Sequence, residues 1–197
     1  MGQVEIVEAL IKRGARVDAA DSHGLTALFK ASAEAVINAL VAAGARFNEV
    51  VDSDGNTPLH VAFSSGHPPE AFLALLKHGA RVDVRNRSGQ TPLHTASVHG
   101  FTVNVKPLLE RGVDKNEFTD QGRSPLSLAA DNDQPYVTEV RLDAGADTNC
   151  VADDRPSAVA LAATYAHSEA MKVLIQHGAD LNARHTNGDT PLHEAAS

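Results

Sequence analysis

Gly89-Gln90-Thr91-Pro92-Leu93-His94 is the stretch that decides the fold, because the chain repeats it. The same Gly-x-Thr-Pro-Leu-His pattern stands at 55–60 and at 188–193, and a weaker copy with two Ser substitutions stands at 122–127. Glycine permits the positive φ of a tight turn, Thr or Ser caps the start of a helix, and proline suits the first helical position. Each copy therefore predicts a turn that leads directly into a helix with a buried leucine.

The copies recur at a nearly constant spacing. Gly55 and Gly89 are 34 residues apart, Gly122 follows Gly89 by 33, and Gly188 follows Gly122 by 66, which is twice 33. A second series of glycines, each at the end of a predicted second helix, has steps of 30, 35, 33, 33 and 33 residues. That series is Gly14, Gly44, Gly79, Gly112, Gly145 and Gly178. A period near 33 indicates stacked units of two helices each.

The repeated pattern resembles the ankyrin repeat over essentially the whole chain. The resemblance rests on Thr-Pro-Leu-His before a helix of small residues, followed by Leu-Leu-x-x-Gly-Ala-Asp-x-Asn. It implies an all-α solenoid of antiparallel helix pairs joined by β-hairpin loops. It also implies an intracellular, protein-binding scaffold.

We expect one ankyrin-repeat domain over residues 1–197. The predicted divisions are a half repeat (1–18), five full repeats (19–50, 51–84, 85–116, 117–149 and 150–182, called repeats 1 to 5) and a truncated repeat (183–197). Both ends fall inside a repeat, which predicts a piece of a longer array or of a larger multidomain protein. Because solenoid stability is a sum of repeat and interface terms, the middle repeats are expected to be the strongest.

Four departures from the pattern predict local irregularities. Gly24 and Gly44 are only 20 residues apart, against 23 or 24 in the other full repeats, so the first helix of repeat 1 should be shorter or more tightly connected. Pro107 falls inside a predicted second helix and should kink or shorten it. Arg155 replaces a turn glycine, which puts the hairpin geometry of repeat 5 in question.

Arg141 is the fourth departure. It stands where the other repeats carry Leu75, Leu108 and Leu174. A buried unpaired charge is costly. We therefore expect Arg141 to reach solvent or to meet a carboxylate, with Glu139 and Asp143 nearby in sequence.

The composition excludes several classes of function. Aromatic residues are only 4% of the chain and Trp is absent, which argues against aromatic-lined ligand pockets and base-stacking platforms. The net charge of −8 argues against nucleic-acid binding. The sequence shows no apolar run of membrane-spanning length and no signal peptide. Met1-Gly2 begins a myristoylation pattern, but Ile6 stands where that pattern needs Ser or Thr. The single Cys150 excludes an internal disulfide and favours a cytoplasmic location, with the nucleus as the alternative.

Ten histidines raise the question of a metal or catalytic site. His60, His94 and His193 lie in the repeated motif, so we interpret them as helix-turn hydrogen-bonding residues. A Ser/His/Asp set could be composed on paper from Ser97, His94 and Asp83, but no nucleophile elbow, phosphate loop or zinc spacing accompanies it. The prediction is a non-enzyme without cofactor or metal.

The resemblance implies a binding surface at the hairpin tips and on the exposed side of the first helices, along one concave side. The predicted partner-binding residues are Ser53, Asp54, Asn56, Arg87, Gln90, His99, Asp120, Gln121, Arg123, Asp131, Asn132, Asp153, Asp154, Thr164 and Tyr165. Acidic residues dominate repeats 4 and 5, which predicts a partner segment with a basic stretch, although solvation of the tips explains their charge equally. Tyr165 is the best single hot-spot candidate, since Tyr is favoured at interface centres.

A separate hypothesis makes the chain a substrate. The Asn of Gly-Ala-Asp-x-Asn in ankyrin-like repeats can be hydroxylated by an asparaginyl hydroxylase, and Asn149 and Asn182 match that position. The alternative interpretation is an asparagine that serves its own turn.

The predicted function is protein–protein recognition through the concave hairpin and first-helix face of a monomer. One alternative is a regulatory or substrate-targeting segment of a larger enzyme, channel or ubiquitin-ligase adaptor. Another is a structural spacer that binds nothing.

Overall fold

The computed structural model describes residues 2–63, 68–152, 155–185 and 187–197. In this part of the chain every regular element is helical and no β-strand occurs. The helices group into two compact units, Met1–Arg87 and Ser88–Ser197. The all-α prediction is confirmed, while the boundaries of the individual repeats stay a prediction.

The N-terminal unit is built around the helix α2. Its helical elements are α1 (Gln3–Lys12), a 3₁₀ helix (Ala27–Lys30), α2 (Glu34–Ala42), α3 (Pro58–Val61) and α4 (Pro69–Lys77). The helix α2 packs against α1 on one side and α4 on the other, while α3 packs against α4 and the 3₁₀ helix. Ile37 and Phe72 are among the most deeply buried side chains of this core, and the rings of Phe63 and Phe72 lie 5.0 Å apart.

The 3₁₀ helix is the consequence of the shortened first repeat. Only Ala27–Lys30 are helical before α2 begins, so there is no room for a full α-helix here. A 3₁₀ turn is the tighter form and suits such short segments. Leu28 and Phe29 of this turn are nevertheless buried. The first helix of repeat 1 is thus a short 3₁₀ turn, although α3 in repeat 2 also has four residues.

The C-terminal unit arranges its helices in two layers. Its helices are α5 (Pro92–His99), α6 (Thr102–Leu109), α7 (Pro125–Asp131), α8 (Pro135–Asp143), α9 (Ala158–Thr164), α10 (Ser168–Gln176) and α11 (Pro191–Ala195). The first helices α5, α7, α9 and α11 pack in succession, and the second helices α6, α8 and α10 do the same. Within each pair, α5 contacts α6, α7 contacts α8 and α9 contacts α10.

Small and branched residues form the core between these layers. One continuous cluster joins Leu126 and Ala130 of α7, Leu142 of α8, Ala162 of α9 and Leu174 of α10. Alanines allow the helices to approach closely, as the composition suggests. The leucine of the repeated motif is buried in α3, α5 and α7, as predicted, but the prediction was wrong for the last copy, where Leu192 in α11 is 76% exposed.

Tight turns precede the first helices. In repeat 4 the N–H of Thr119 donates to the carbonyl of Arg123 (3.0 Å), and the N–H of Gly122 donates back to Thr119 (2.9 Å). Gly122 has a φ of 70°, and a Cβ there would lie 3.0 Å from Cγ of Arg155. Only glycine meets both demands without strain. Arg155 itself keeps the turn bond to Ala152 (3.1 Å) without adopting a positive φ.

Side chains cap the first helices as the motif predicts. Ser124 Oγ accepts from the N–H of Ser127 (3.1 Å), and Ser157 Oγ accepts from the N–H of Ala160 (3.2 Å). Where the motif has Thr and His, the imidazole replaces the carboxyl group of a capping box. In α5, His94 Nδ1 lies 3.1 Å from the N–H and 2.8 Å from the hydroxyl of Thr91.

The helix α6 continues through Pro107. The proline is its sixth residue, so the bond from that position to the carbonyl of Val103 is lost. Val103 itself lies on the exposed side of α6. The helix has eight residues against nine in α8 and α10, so it is shortened by a single residue.

The expectation for Arg141 was wrong. Its exposed fraction is 0%, so it does not reach solvent, and it meets no carboxylate among the described residues. Instead Nη2 donates to the backbone carbonyl of Lys115, in the loop after α6. Burial lowers the pKa of Arg141 to about 9. The side chain occupies a leucine position of the core and is too enclosed to turn towards Glu139 or Asp143.

Among the residues that the structure describes, two non-glycine residues adopt a positive φ, both between paired helices. They are Asp133 (47°), between α7 and α8, and Ala166 (56°), between α9 and α10. Gly100 has the same role between α5 and α6, with a φ of 74°. In these three helix pairs of the C-terminal unit the connection adopts the same conformation whether it carries Gly, Asp or Ala.

Candidate functional site

The predicted contact residues of repeats 4 and 5 lie at hairpin tips and at the C-terminal ends of first helices. We call this set the tip face. It comprises Asp120, Gln121, Arg123, Asp131, Asn132, Thr164 and Tyr165. Asp153 and Asp154, which the sequence also assigns to it, lie outside the described residues.

An ion pair joins the two parts of the tip face in repeat 4. Nη2 of Arg123, just before α7, lies 2.6 Å from Oδ2 of Asp131, the last residue of α7. Both side chains are only partly exposed. The pair shows that the hairpin tip and the end of α7 share one side of the repeat. It also means that two predicted contact residues are already partners of each other.

Asn132 and Gln121 flank this ion pair. Asn132 Nδ2 donates to the carbonyl of Leu128 (2.9 Å), which caps the end of α7 and fixes the amide. Gln121 is exposed at the turn tip. The N–H of Asp120 donates to the carbonyl of Ser88 (3.2 Å), so adjacent hairpins of this unit are linked through their backbones.

Tyr165 is the large aromatic side chain of the tip face. Its exposed fraction is 56%, and it directly follows α9. The ring lies 5.8 Å from the ring of His167, at an interplanar angle of 30°. His167 Nδ1 is in turn held by the carbonyl of Ala130 at 2.9 Å. The imidazole of His167 is therefore held by the backbone and packs against the tyrosine ring. The sequence analysis did not predict this contact.

Thr164 connects the ends of two first helices. Its Oγ1 lies 2.9 Å from the carbonyl of Ala160 and 3.1 Å from Oε2 of Glu194 in α11. Sequence reasoning did not include Glu194. Its alignment with the end of a first helix could have pointed to it.

In the N-terminal unit the predicted contact residues are held by the neighbouring hairpin. Arg87 donates its N–H to the carbonyl of Asp54 (2.9 Å) and its Nη1 to the carbonyl of Ser53. Asn56 Oδ1 accepts from Asn86 Nδ2 at 2.8 Å. The backbone and amide contacts of Ser53, Asp54 and Asn56 therefore serve the fold, while the Ser53 and Asp54 side chains are exposed.

The remaining predicted contact residues belong to the start of the C-terminal unit. Gln90 is partly buried at its turn, while His99 is exposed at the end of α5. The ring of His99 lies edge-on to Phe101 at 6.4 Å. Both residues belong to repeat 3, one repeat before the tip face begins.

The two units differ sharply in charge. Residues 1–87 hold ten acidic and nine basic residues, a formal charge of −1. Residues 88–197 hold 15 acidic and eight basic residues, a formal charge of −7. Nearly the whole net charge of −8 therefore lies in the unit that carries the tip face.

The asparagines predicted as hydroxylation sites are exposed, but their side chains differ in their bonding. Asn149 Oδ1 accepts from the N–H of Asp180 (2.9 Å). Asn48 and Asn116 accept in the same way from Arg81 (2.9 Å) and Asp147 (3.1 Å). The backbone N–H of Asn182 donates to Oδ1 of Asp180 (2.9 Å), and none of the bonds seen among the described residues involves the side-chain amide of Asn182.

The histidines and serines proposed for chemistry have structural partners. His94 is fully buried, with Nε2 donating to the carbonyl of Glu117 (2.9 Å). Ser97 donates its hydroxyl to Leu93 (2.7 Å), and Asp83 pairs with Arg81 (3.0 Å), which lowers the pKa of Asp83. No such group has the bonding of an activated nucleophile or base.

The pKa values of Asp21, Cys150 and His177 are also shifted. The Lys30 ammonium and the N–H groups of His23 and Leu25 lower the pKa of Asp21 to about 2. Burial, followed by the nearby carboxylates, raises the pKa of Cys150. The carbonyl of Val173, followed by the carboxylate of Asp143, raises the pKa of His177. Residues 2–63, 68–152, 155–185 and 187–197 contain no cluster of three His, Cys, Asp or Glu suited to a metal ion.

None of the described helices is both long and apolar enough to cross a bilayer.

Comparison with protein families gives matches along the whole chain. The model described as "Ankyrin repeats (3 copies)" matches residues 1–86, 32–119, 69–151 and 126–197. The chain belongs to the ankyrin-repeat family. This confirms the resemblance that rested on the Thr-Pro-Leu-His motif and the 33-residue period.

Solved ankyrin-repeat structures have the same fold. The human ASB11 ankyrin repeat domain superposes with a TM-score of 0.86 at 25% identity, over 98% of this chain and 87% of that one. The ankyrin repeat domain of Bcl-3, described as a unique member of the IkappaB protein family, gives 0.81 at 30% identity, over 98% and 88%. The all-α ankyrin solenoid is confirmed.

Curated ankyrin-repeat relatives are much longer than this chain. Mask-1 of Caenorhabditis elegans, an ankyrin repeat and KH domain-containing protein, is 35% identical over 61% of this chain and 5% of its own length. The chicken NF-kappa-B p105 subunit is 30% identical over 57% of this chain and 15% of its length. Neurospora crassa nuc-2 is 32% identical over 57% and 11%. The match thus spans a small part of each relative.

Proposed function

We propose that this chain is a non-catalytic protein-interaction scaffold whose tip face binds a protein or peptide partner. Ankyrin-repeat domains are in general interaction modules, and the partner and the face are what the proposal adds. The observation that carries it is Tyr165, a 56% exposed aromatic ring that is held in place by His167. A rigid, exposed Tyr suits the centre of an interface, since it buries a large area at little cost in conformational entropy.

The charge distribution favours a basic partner segment. The C-terminal unit has a formal charge of −7, whereas the N-terminal unit has −1. Complementary charge accelerates association and helps to select a partner. Because the Arg123–Asp131 pair neutralises itself, the attraction comes from the remaining carboxylates of the unit rather than from Asp131.

The bonding of the polar core supports a role without catalysis. His60, His94 and His193 hold the starts of first helices through the preceding Thr, and Ser97 donates to a helix carbonyl. These groups are committed to the fold. We also propose a monomeric state and a cytoplasmic setting, with the nucleus as the alternative.

A pull-down read by mass spectrometry tests the proposal. The bait is the chain as given, beside a variant with Gln121→Lys and Tyr165→Ala. The matched control carries Tyr136→Ala and Glu139→Gln, which removes one exposed tyrosine and adds the same charge on the second-helix side of the unit. A partner lost by the first variant and kept by the control supports binding at the tip face.

Three outcomes contradict the proposal or part of it. If both variants keep the native circular dichroism spectrum and both lose the partner, net charge alone rather than the tip face determines binding. Retention by both would place binding away from Tyr165. Retained binding that is insensitive to salt would contradict the basic segment, because exposed charge pairs weaken as ionic strength rises.

A second candidate is a regulatory or substrate-targeting segment within a larger enzyme, channel or ubiquitin-ligase adaptor. It is favoured by the lengths of the relatives, in which the matched repeats form only 5 to 15% of the protein. In that case the tip face would bind the substrate or regulator of the larger protein. A pull-down partner that is modified or regulated by the larger protein would favour this second role.

A further inference from the structure

Three costly features fall in the second-helix layer of repeats 3 and 4. They are a buried charge in α8, a buried unpaired amide in α6 and a proline inside α6. Neither α9 nor α10 has any of them. They therefore bear on the order in which parts of the C-terminal unit open.

Arg141 is the most costly of the three. The guanidinium is fully buried, and one backbone carbonyl, that of Lys115, accepts from Nη2. Nε and Nη1 have no hydrogen-bond partner among the described residues. The lowered pKa, about 9, still leaves the group protonated at neutral pH. A buried cation without a carboxylate loses its hydration and gains little in return.

Asn104 adds a second unsatisfied group in the adjacent helix. Its exposed fraction is 0%, and neither its amide oxygen nor its amide nitrogen has a partner among the described residues. Two of the corresponding positions in other second helices are Ala71 and Ala170, which bury no polar atoms. Water would satisfy the Asn104 amide if α6 opened.

Pro107 weakens the same helix from within. It removes one backbone bond of an eight-residue helix. The helix α6 packs against α8, so the three features act on one pair of contacting helices. Opening this pair would hydrate Arg141 and Asn104 together, whereas opening α10 would relieve no such group.

We propose that α6 and α8 form a locally unstable pair that opens reversibly in the native protein, ahead of the rest of the C-terminal unit. The opening is a conformational device, because it exposes the buried leucines Leu108 and Leu142 without global unfolding. The proposal runs against the expectation that the middle of a solenoid is strongest. It does not depend on the partner-binding role.

Native-state hydrogen–deuterium exchange tests the proposal on the full chain. The internal reference is α10, which is also a second helix but has Leu174 and Ala170 at the positions of Arg141 and Asn104. Its amides are expected to exchange at least about tenfold more slowly than those of α6 and α8. The comparison is demanding, since α8 contacts two other second helices, α6 and α10, whereas α8 is the one second helix that α10 contacts.

Two substitutions complete the test, one that removes the buried charge of Arg141 and one that removes the buried amide of Asn104. Arg141→Leu and Asn104→Ala should each slow exchange in both α6 and α8 by at least about tenfold. Glu139→Leu is the matched control, because it places the same leucine on the exposed side of α8 and should leave the rates within about twofold. Replacement of a buried charge by leucine is expected to preserve folding, and urea denaturation checks this.

The proposal is overturned if α8 exchanges no faster than α10 in the native chain. It is equally overturned if Arg141→Leu changes the rates no more than Glu139→Leu does. Slowing of α8 alone by Arg141→Leu, with α6 unaffected, would exclude the joint opening of the pair.

Discussion

The amide oxygen of Asn149 accepts a hydrogen bond from the backbone N–H of Asp180, 31 residues further along the chain. Asn149 lies in the loop after α8, and Asp180 lies in the corresponding loop after α10. Asn116 makes the same bond to Asp147, one repeat earlier. The loop asparagines thus link successive repeats through side chain and backbone. This link between repeats is a better explanation for the asparagine at this position than a role within its own turn.

The link predicts different costs for two asparagine substitutions. Asn149→Ala removes the acceptor of the Asp180 N–H and should lower the free energy of unfolding by about 1 kcal/mol. Asn182→Ala removes an exposed amide that none of the described contacts uses, so its cost should stay below about 0.5 kcal/mol. Urea denaturation followed by circular dichroism gives both values. Equal costs at the two positions would argue against the link.

The same bond predicts an order of modification. If the chain is a substrate of an asparaginyl hydroxylase, the enzyme must take the asparagine side chain out of its native bonds. Asn182 should therefore be hydroxylated before Asn149, which must first release Asp180. Mass spectrometry of peptides from a timed reaction measures the order. Faster modification of Asn149, or equal rates, would contradict this prediction.

A positive φ at Ala166 predicts a stabilising substitution. The left-handed conformation costs an L-residue about 1–2 kcal/mol, and glycine avoids this cost while losing more backbone entropy on folding. Ala166→Gly should raise the free energy of unfolding by about 0.5–1 kcal/mol. Asp133→Gly should gain less, because Asp tolerates this conformation better.

The control for Ala166→Gly is Ala195→Gly, in the helix α11. There the same change should lower stability by up to about 1 kcal/mol, because glycine is a poor helix former. Thermal denaturation of both variants shows whether Ala166→Gly raises stability while Ala195→Gly lowers it. A loss of stability in Ala166→Gly would show that the methyl group has a packing role that outweighs its backbone strain.

Much of the fold could be predicted because it repeats. The turn, the cap and the first helix are local structures, and the glycine series locates them residue by residue. The effects of Pro107 and of the short first repeat could also be predicted, since each changes the backbone at its own position in the sequence. The positive φ of Ala166 could be predicted only by aligning this residue with Gly100, since alanine itself does not indicate a positive φ.

Contacts between separate segments were harder to predict. Arg141 was expected to meet Glu139 or Asp143 because these lie close in sequence, yet its acceptor is the carbonyl of Lys115, 26 residues earlier. The Arg123–Asp131 pair was missed although its members are only eight residues apart, one just before α7 and the other at its end. The support of Tyr165 by His167 depends on the carbonyl of Ala130, which no local pattern reveals.

The motif histidines predict a contrast between a buried and an exposed copy. His94→Ala leaves a buried cavity and removes bonds to Thr91 and Glu117, so it should cost about 3 kcal/mol. His193→Ala removes only the exposed bonds to Thr190 and should cost less than about 1 kcal/mol. Chemical denaturation of both variants measures the difference. Similar costs would mean that the bond of His94 to Glu117 contributes little.

His177 predicts a small dependence of stability on pH. Its Nδ1 contacts the carbonyl of Val173 (2.9 Å) and its Nε2 contacts Asp143 (3.2 Å), and together they raise the pKa of His177 above 6.5. A raised pKa in the folded state means that the stabilisation is complete below pH 6.5 and is lost as the pH rises through the folded value. The side chain of His177 is 27% exposed and that of Asp143 is 68% exposed, so solvent screens the pair and the contribution should stay below about 1 kcal/mol.

The comparison that isolates this contribution uses His177→Gln. The difference in melting temperature between the native chain and His177→Gln should be larger at pH 5.5 than at pH 8.5. Asp143→Asn should keep part of the effect, because the carbonyl of Val173 is the larger cause of the raised pKa. A difference that is the same at both pH values would rule out protonation of His177 as a source of stability. A difference that vanishes entirely in Asp143→Asn would instead assign the effect to the carboxylate.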